Sequence, residues 1–66
     1  MKYRIRELRE RIGMTQTELS ELSGVSRQTI WKLETGEDEV TTTNTLVKIA
    51  DALKVRVDEL FCVLNV

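Results

Sequence analysis

The stretch from Thr15 to Gly36, TQTELSELSGVSRQTIWKLETG, constrains the fold more than any other part of the chain. Thr15 followed three residues later by Glu18 is the signature of a capping box. In that arrangement the threonine hydroxyl and the glutamate carboxylate satisfy backbone donors at a helix start. Leu19 and Leu22 give this helix an apolar side. Ser20, a small residue, lies four before Gly24, where the next helix has to pass close. Gly24 supplies the backbone freedom a sharp turn requires. Ser26 caps a second helix running to about Glu34, with Val25, Ile30 and Leu33 turned inward and Gly36 at its end. Two short helices joined by a tight glycine turn make a helix-turn-helix unit over residues 15–35.

The flanks supply the rest of a helical bundle. A first helix spans about Arg4 to Ile12, with Ile5, Leu8 and Ile12 on one face at i, i+3 and i+7. Gly13 ends it and Met14 folds back as the accompanying apolar contact. After the polar connection EDEVTTTNT, Thr42 or Thr43 caps a fourth helix whose apolar face is Leu46, Ile49, Ala50 and Leu53. A last short helix near Val57 to Phe61 closes the bundle with Val55, Leu60 and Phe61. The expected fold is all-α, five helices in one domain over residues 1–66. The tail FCVLNV admits two readings: an extension of helix 5, or a strand pairing with Met1–Ile5 or with its own copy in a second subunit. The strand is favoured, because Phe and Val suit it and Lys-Tyr-Arg-Ile at the N-terminus also alternates. The expected fold therefore includes a short two-stranded β ribbon from the terminal segments.

A chain of 66 residues is short of core. A domain this size buries only about 60% of the surface its unfolded form exposes. Such domains usually draw on disulfides, a metal or a partner chain. Cys62 is the sole cysteine and there is no histidine, so an internal disulfide and a Cys/His zinc site are both excluded. No metal or cofactor is expected. A homodimer is, through the tail over residues 57–66, chiefly Leu60, Phe61, Val63, Leu64 and Val66. Cys62 reads as a small packing residue, since no cation adjoins it in sequence to favour a thiolate. No run approaches the roughly 18 apolar residues of a membrane span, and the N-terminus lacks the apolar core of a signal peptide. A cytoplasmic location is expected. Without a histidine, a nucleophile beside a base or a phosphate-cradling glycine loop, the chain does not read as an enzyme.

Net charge is −1, but its distribution is uneven. Residues 1–33 hold seven cations and four anions (+3), and residues 34–66 hold three cations and seven anions (−4). The positive half contains the start of the second helix of the unit, which presents Ser26, Arg27, Gln28 and Thr29. Arginine can donate twice to guanine O6 and N7, and glutamine can pair with adenine N6 and N7. Lys32 lies near the same face. Gln16, with Thr15 and Thr17, stands at a helix start, where free backbone N–H groups bind phosphate. Thr35 and the residues from Thr41 to Asn44 are weaker phosphate candidates, with plain helix capping as the competing role. Trp31 falls at the border of the inward face. Packing against the Gly36–Thr42 connection is favoured over a place beside a sugar-phosphate or a thymine methyl, since isolated aromatics are usually anchors.

From Ile5 to Phe61 these residues resemble the helix-turn-helix repressors of the Cro/cI (XRE) family. The resemblance implies a five-helix lambda-repressor-like domain that binds double-stranded DNA, and transcriptional control by a homodimer on a pseudo-palindromic operator. It places the base readers at Arg27, Gln28 and Lys32. It gives Gln16 a clamp on the DNA backbone, which Thr15, Thr17, Ser26, Thr29 and Thr35 join. It also pairs Arg9 with Glu34, fixing the first helix against the third. The match weakens after helix 3. Glu37, Asp38 and Glu39 stand where the family often carries basic residues, the common proline is absent, and Arg56 stands where a serine often caps the last helix. The acidic loop repels phosphate; a surface that stays away from DNA and aids solubility is favoured over a docking surface for a basic protein. The alternative reading is a protein-interaction module of the same fold, such as an antitoxin or partner-binding regulator.

Overall fold

The computed structural model describes residues 3–37 and 41–61. Four α-helices follow one another: α1 (Ile5–Arg11), α2 (Gln16–Ser23), α3 (Arg27–Thr35) and α4 (Thr43–Leu53), with a 3-10 turn at Val57–Leu60. The five-helix expectation is corrected to four, because the last segment holds a single tight turn of four residues. Phe61 then leaves it extended, with φ −85° and ψ 143°.

Each boundary has a local cause. Thr15 and Glu18 form the capping box at α2: Glu18 N donates to Thr15 Oγ1 at 3.1 Å and Thr15 N to Glu18 Oε1 at 3.0 Å. Ser26 caps α3 by accepting from Thr29 N, and Thr42, rather than Thr43, caps α4 by accepting from Thr45 N. Gly13 at the end of α1 has φ +70°, and the N–H groups of Gly13 and Met14 reach back to the carbonyls of Glu10 and Arg9. That pair of bonds is the Schellman ending. It closes α1 one residue earlier than expected and turns Ile12 outward, to 54% exposure. Met14 packs against the core beneath it.

The core is formed by Tyr3, Ile5, Leu8, Leu19, Val25, Ile30, Leu33, Leu46, Ile49, Ala50, Leu53 and Leu60. α2 packs against both α3 and α4. It meets them with Leu19, Ser23 and the half-buried Ser20, so its buried side is rotated away from Leu22. Leu22, expected inside, is 65% exposed.

Among the described residues no strand forms. The expected ribbon is reduced to one isolated antiparallel bridge, Tyr3 to Phe61, with the two rings 5.4 Å apart. Residues 1–2 and 62–66, the rest of that ribbon, lie outside the described residues. Leu60, expected at a dimer interface, is fully buried in the core of this chain and its carbonyl accepts from Arg4 N. Phe61 is half-buried against the same core. Val63, Leu64 and Val66 fall outside the described residues, as does Cys62. No helix among the described residues is long and apolar enough to cross a membrane.

Candidate nucleic-acid interface

The turn into α3 is made by Gly24, at φ +74°, and by Val25, which is buried and locks the turn to the core. From there α3 advances about 100° per residue. Ile30, Leu33 and Glu34 fall on the buried side. The opposite side presents Arg27, Gln28, Trp31 and Thr35, all exposed, with Lys32 half-buried at their edge. The start of α2 lies alongside: Gln16, Arg27, Gln28 and Trp31 line one shallow open hollow of about 340 Å³. A helix start, an arginine and a glutamine at the next helix start, and an indole thus share one surface.

What holds α3 at this angle is a buried charge. Glu34 is 3% exposed and Arg9 8% exposed, and they meet in a fork. Arg9 Nε donates to Glu34 Oε2 at 2.9 Å and Arg9 Nη2 to Oε1 at 3.0 Å. The remaining nitrogen, Nη1, donates to the Met14 carbonyl at 2.8 Å. The hydrogen bonds to Glu34 raise the Arg9 pKa above its ordinary value against the opposing effect of burial, so the guanidinium stays charged. Gln16 Nε2 donates to Glu34 Oε1 at 3.0 Å. The Arg9–Glu34 pair therefore ties α1, the α1–α2 turn, the start of α2 and the end of α3 together.

These contacts sort the phosphate candidates. Gln16 spends one amide N–H on Glu34, and a primary amide carries two. The second lies beside the backbone N–H groups of Gln16 and Thr17 that no helix carbonyl can reach. Thr15 accepts at its hydroxyl oxygen from Glu18 N and keeps its own proton. Ser26 gives its hydroxyl proton to Thr29 Oγ1, which leaves Thr29 as the donor of that pair. Thr35 is different. Its hydroxyl donates to the Trp31 and Lys32 carbonyls inside α3, which removes the proton a phosphate would need.

Two features were not legible in the sequence. Trp31 is 47% exposed and opens onto the hollow beside Gln16, Arg27 and Gln28, while residues 38–40 of the connection it was expected to pack against lie outside the described residues. The second concerns charge. All four arginines up to Arg11 have carboxylate partners or a share in one: Arg4 and Arg11 with Glu7, Arg6 with Glu10, and Arg9 with Glu34 as the resemblance implies. Among the described residues Arg27 and Lys32 have no ion-pair partner. The arginines at α1 are thus all held in ion pairs, with one carboxylate serving two of them, while the cations of α3 stand unpaired among the described residues. Glu37 is exposed, while Asp38 and Glu39 lie outside the described residues.

A helix-turn-helix family model matches residues 5–60. The chain is 38% identical over 61 residues to the uncharacterized HTH-type transcriptional regulator YgzD of Bacillus subtilis, covering 92% of this chain and 91% of that protein. It is 42% identical over 60 residues to the cryptic phage CTXphi transcriptional repressor RstR of Vibrio cholerae, covering 91% of this chain but only 53% of that repressor. Among solved structures, the restriction-modification controller protein C.AhdI of Aeromonas hydrophila superposes with a TM-score of 0.82 at 36% identity, over 88% of this chain and 86% of that one. The chain belongs to the helix-turn-helix family of the Cro/cI (XRE) type, whose members are DNA-binding transcriptional regulators.

Proposed function

We propose that this DNA-binding transcriptional regulator is a homodimeric repressor that lays α3 in the major groove of a pseudo-palindromic operator. The observation that carries this is the exposed face of α3, where Arg27 and Gln28 stand at the helix start and neither Arg27 nor Lys32 is neutralised among the described residues. Arg27 suits guanine O6 and N7, Gln28 suits adenine N6 and N7, and Lys32 reaches a base or phosphate further along. Gln16, Thr15, Thr17, Thr29 and the backbone at the start of α2 hold the flanking phosphates and set the depth of α3. Ser26 shapes the start of α3 and hands its proton to Thr29. Two copies associate through Phe61 and the apolar residues Val63, Leu64 and Val66. Promoter occupancy is then the means of repression, and the cytoplasm is where it acts.

Fluorescence anisotropy tests this. The purified chain is titrated with the duplex lying upstream of its own gene, at two salt concentrations, against a scrambled duplex. A repressor of its own promoter prefers the native duplex and loses affinity steeply as salt rises. Equal, weak binding to both duplexes at either salt rejects that assignment and favours a protein-binding role for the fold.

A further inference from the structure

Trp31 is the large hydrophobic residue that the core does not use on α3. The other exposed ones lie elsewhere, Ile12 after α1, Leu22 on α2 and Val47 on α4. An indole left 47% exposed on the helix proposed to enter the groove has apolar area that no residue of its own subunit covers. Its surroundings specify the occupant. It lines one hollow with Arg27, Gln28 and Gln16, and along α3 it falls between Arg27 and Glu34, the residue to which Gln16 is bonded, so it stands between the proposed base readers and the proposed phosphate clamp. Along the helix it follows Arg27 by one turn, about 6 Å.

The major groove offers little that an indole can match. Its edges carry acceptors and donors, and the C5-methyl of thymine is the apolar group among them. That methyl projects from the pyrimidine edge toward its own sugar-phosphate strand, which is the position between a base reader and a phosphate clamp. We propose that Trp31 is a specificity-determining residue that packs its indole on the C5-methyl group of a thymine in each half-site. The inference rests on the reading of α3 as the base-reading helix and adds to it a discrimination that Arg27, Gln28 and Lys32 cannot make. Hydrogen-bonding side chains tell guanine and adenine from their partners, but they do not sense a methyl group. A thymine beside the base pairs read by Arg27 and Gln28 is thereby selected through burial rather than through a hydrogen bond.

The test removes the methyl and nothing else. A duplex is selected by the wild-type chain from a randomised pool, and each thymine in it is replaced in turn by deoxyuracil. At one thymine per half-site the wild-type chain loses roughly three- to fivefold in affinity, as expected for one methyl returned to water. Trp31→Ala binds the original duplex more weakly and no longer distinguishes thymine from uracil at that position. Trp31→Phe, which restores an aromatic face, recovers part of the distinction, and Gln28→Ala keeps it while losing affinity overall. Circular dichroism verifies that the variants are helical. If no thymine is sensitive, or if Trp31→Ala loses the same factor as the wild type, the inference is overturned while the DNA reading stands. If the pool yields no enriched sequence at all, the DNA reading falls and the inference with it.

Discussion

Glu34 shows how one side chain can serve both stability and recognition. Its carboxylate is buried at the end of α3 and accepts from Arg9 on α1 and from Gln16 on α2. Glu34→Ala leaves the Arg9 charge buried without its fork, and the expected cost is about 3–5 kcal/mol, read from urea denaturation. Gln16→Ala should weaken binding to every duplex by a similar factor, because phosphate contacts carry no sequence information. Arg27→Ala or Gln28→Ala should instead cost about 1–3 kcal/mol on the selected duplex, with relaxed preference at one base pair, measured by competition among single-base variants. The identity of these polar residues at the helix starts was readable from sequence, because capping and base-edge chemistry are local. Trp31 was not. Its spacing places it at the edge of the inward face of α3, and only the way α2 crosses α3 decides that the edge is open. The partners of the α1 arginines show the same thing: counting charges gave a basic half, but not which of its cations the i, i+3 and i, i+4 pairs on α1 occupy.

The elements are set by their ends more than by their middles. At α2 the Glu18 carboxyl is held below its ordinary value of 4.5, first by the hydrogen bond from the Thr15 backbone N–H and then by the Thr15 side chain. A lowered carboxyl pKa contributes stability above the unfolded value and loses it as pH falls through the folded one. The stability advantage of the wild type over Glu18→Ala should therefore be full above the ordinary carboxylate value and should close on acidification below it, followed as denaturation midpoints across pH. Gly24 makes the complementary case. Its φ of +74° is costly for other residues, yet a Cβ there would meet nothing within 4 Å. Gly24→Ala should cost about 1–2 kcal/mol of backbone strain and leave the fold intact, as judged by thermal unfolding and circular dichroism. Capping boxes and glycine stops are legible because they are contiguous in sequence. The misplacement of Ile12 and Leu22 has a different origin. A Schellman ending shortens α1 by one residue, and α2 must face two helices with its small residues, so periodicity alone points both leucine-like side chains inward.

At the scale of the whole molecule, the four helices and one 3-10 turn form a body of 36 × 23 × 19 Å. Two such bodies side by side can set their α3 helices about one duplex turn apart, ~34 Å, which suits successive major grooves on one face of DNA. The all-helical architecture was legible from the apolar periodicity of α1, α3 and α4. The tail was not, because a run of apolar residues after a glycine-free turn fits a helix, a strand or a contact equally well. Leu60 belongs to the core of its own subunit, so the proposed interface depends on Phe61 and the residues that follow it. The most direct test of the central claim is hydroxyl-radical footprinting of the wild-type chain on its selected duplex. Two copies with α3 in the groove should protect two related half-sites on the same face, separated by about one helical turn. A single protected patch, or protection that ignores sequence, would contradict it.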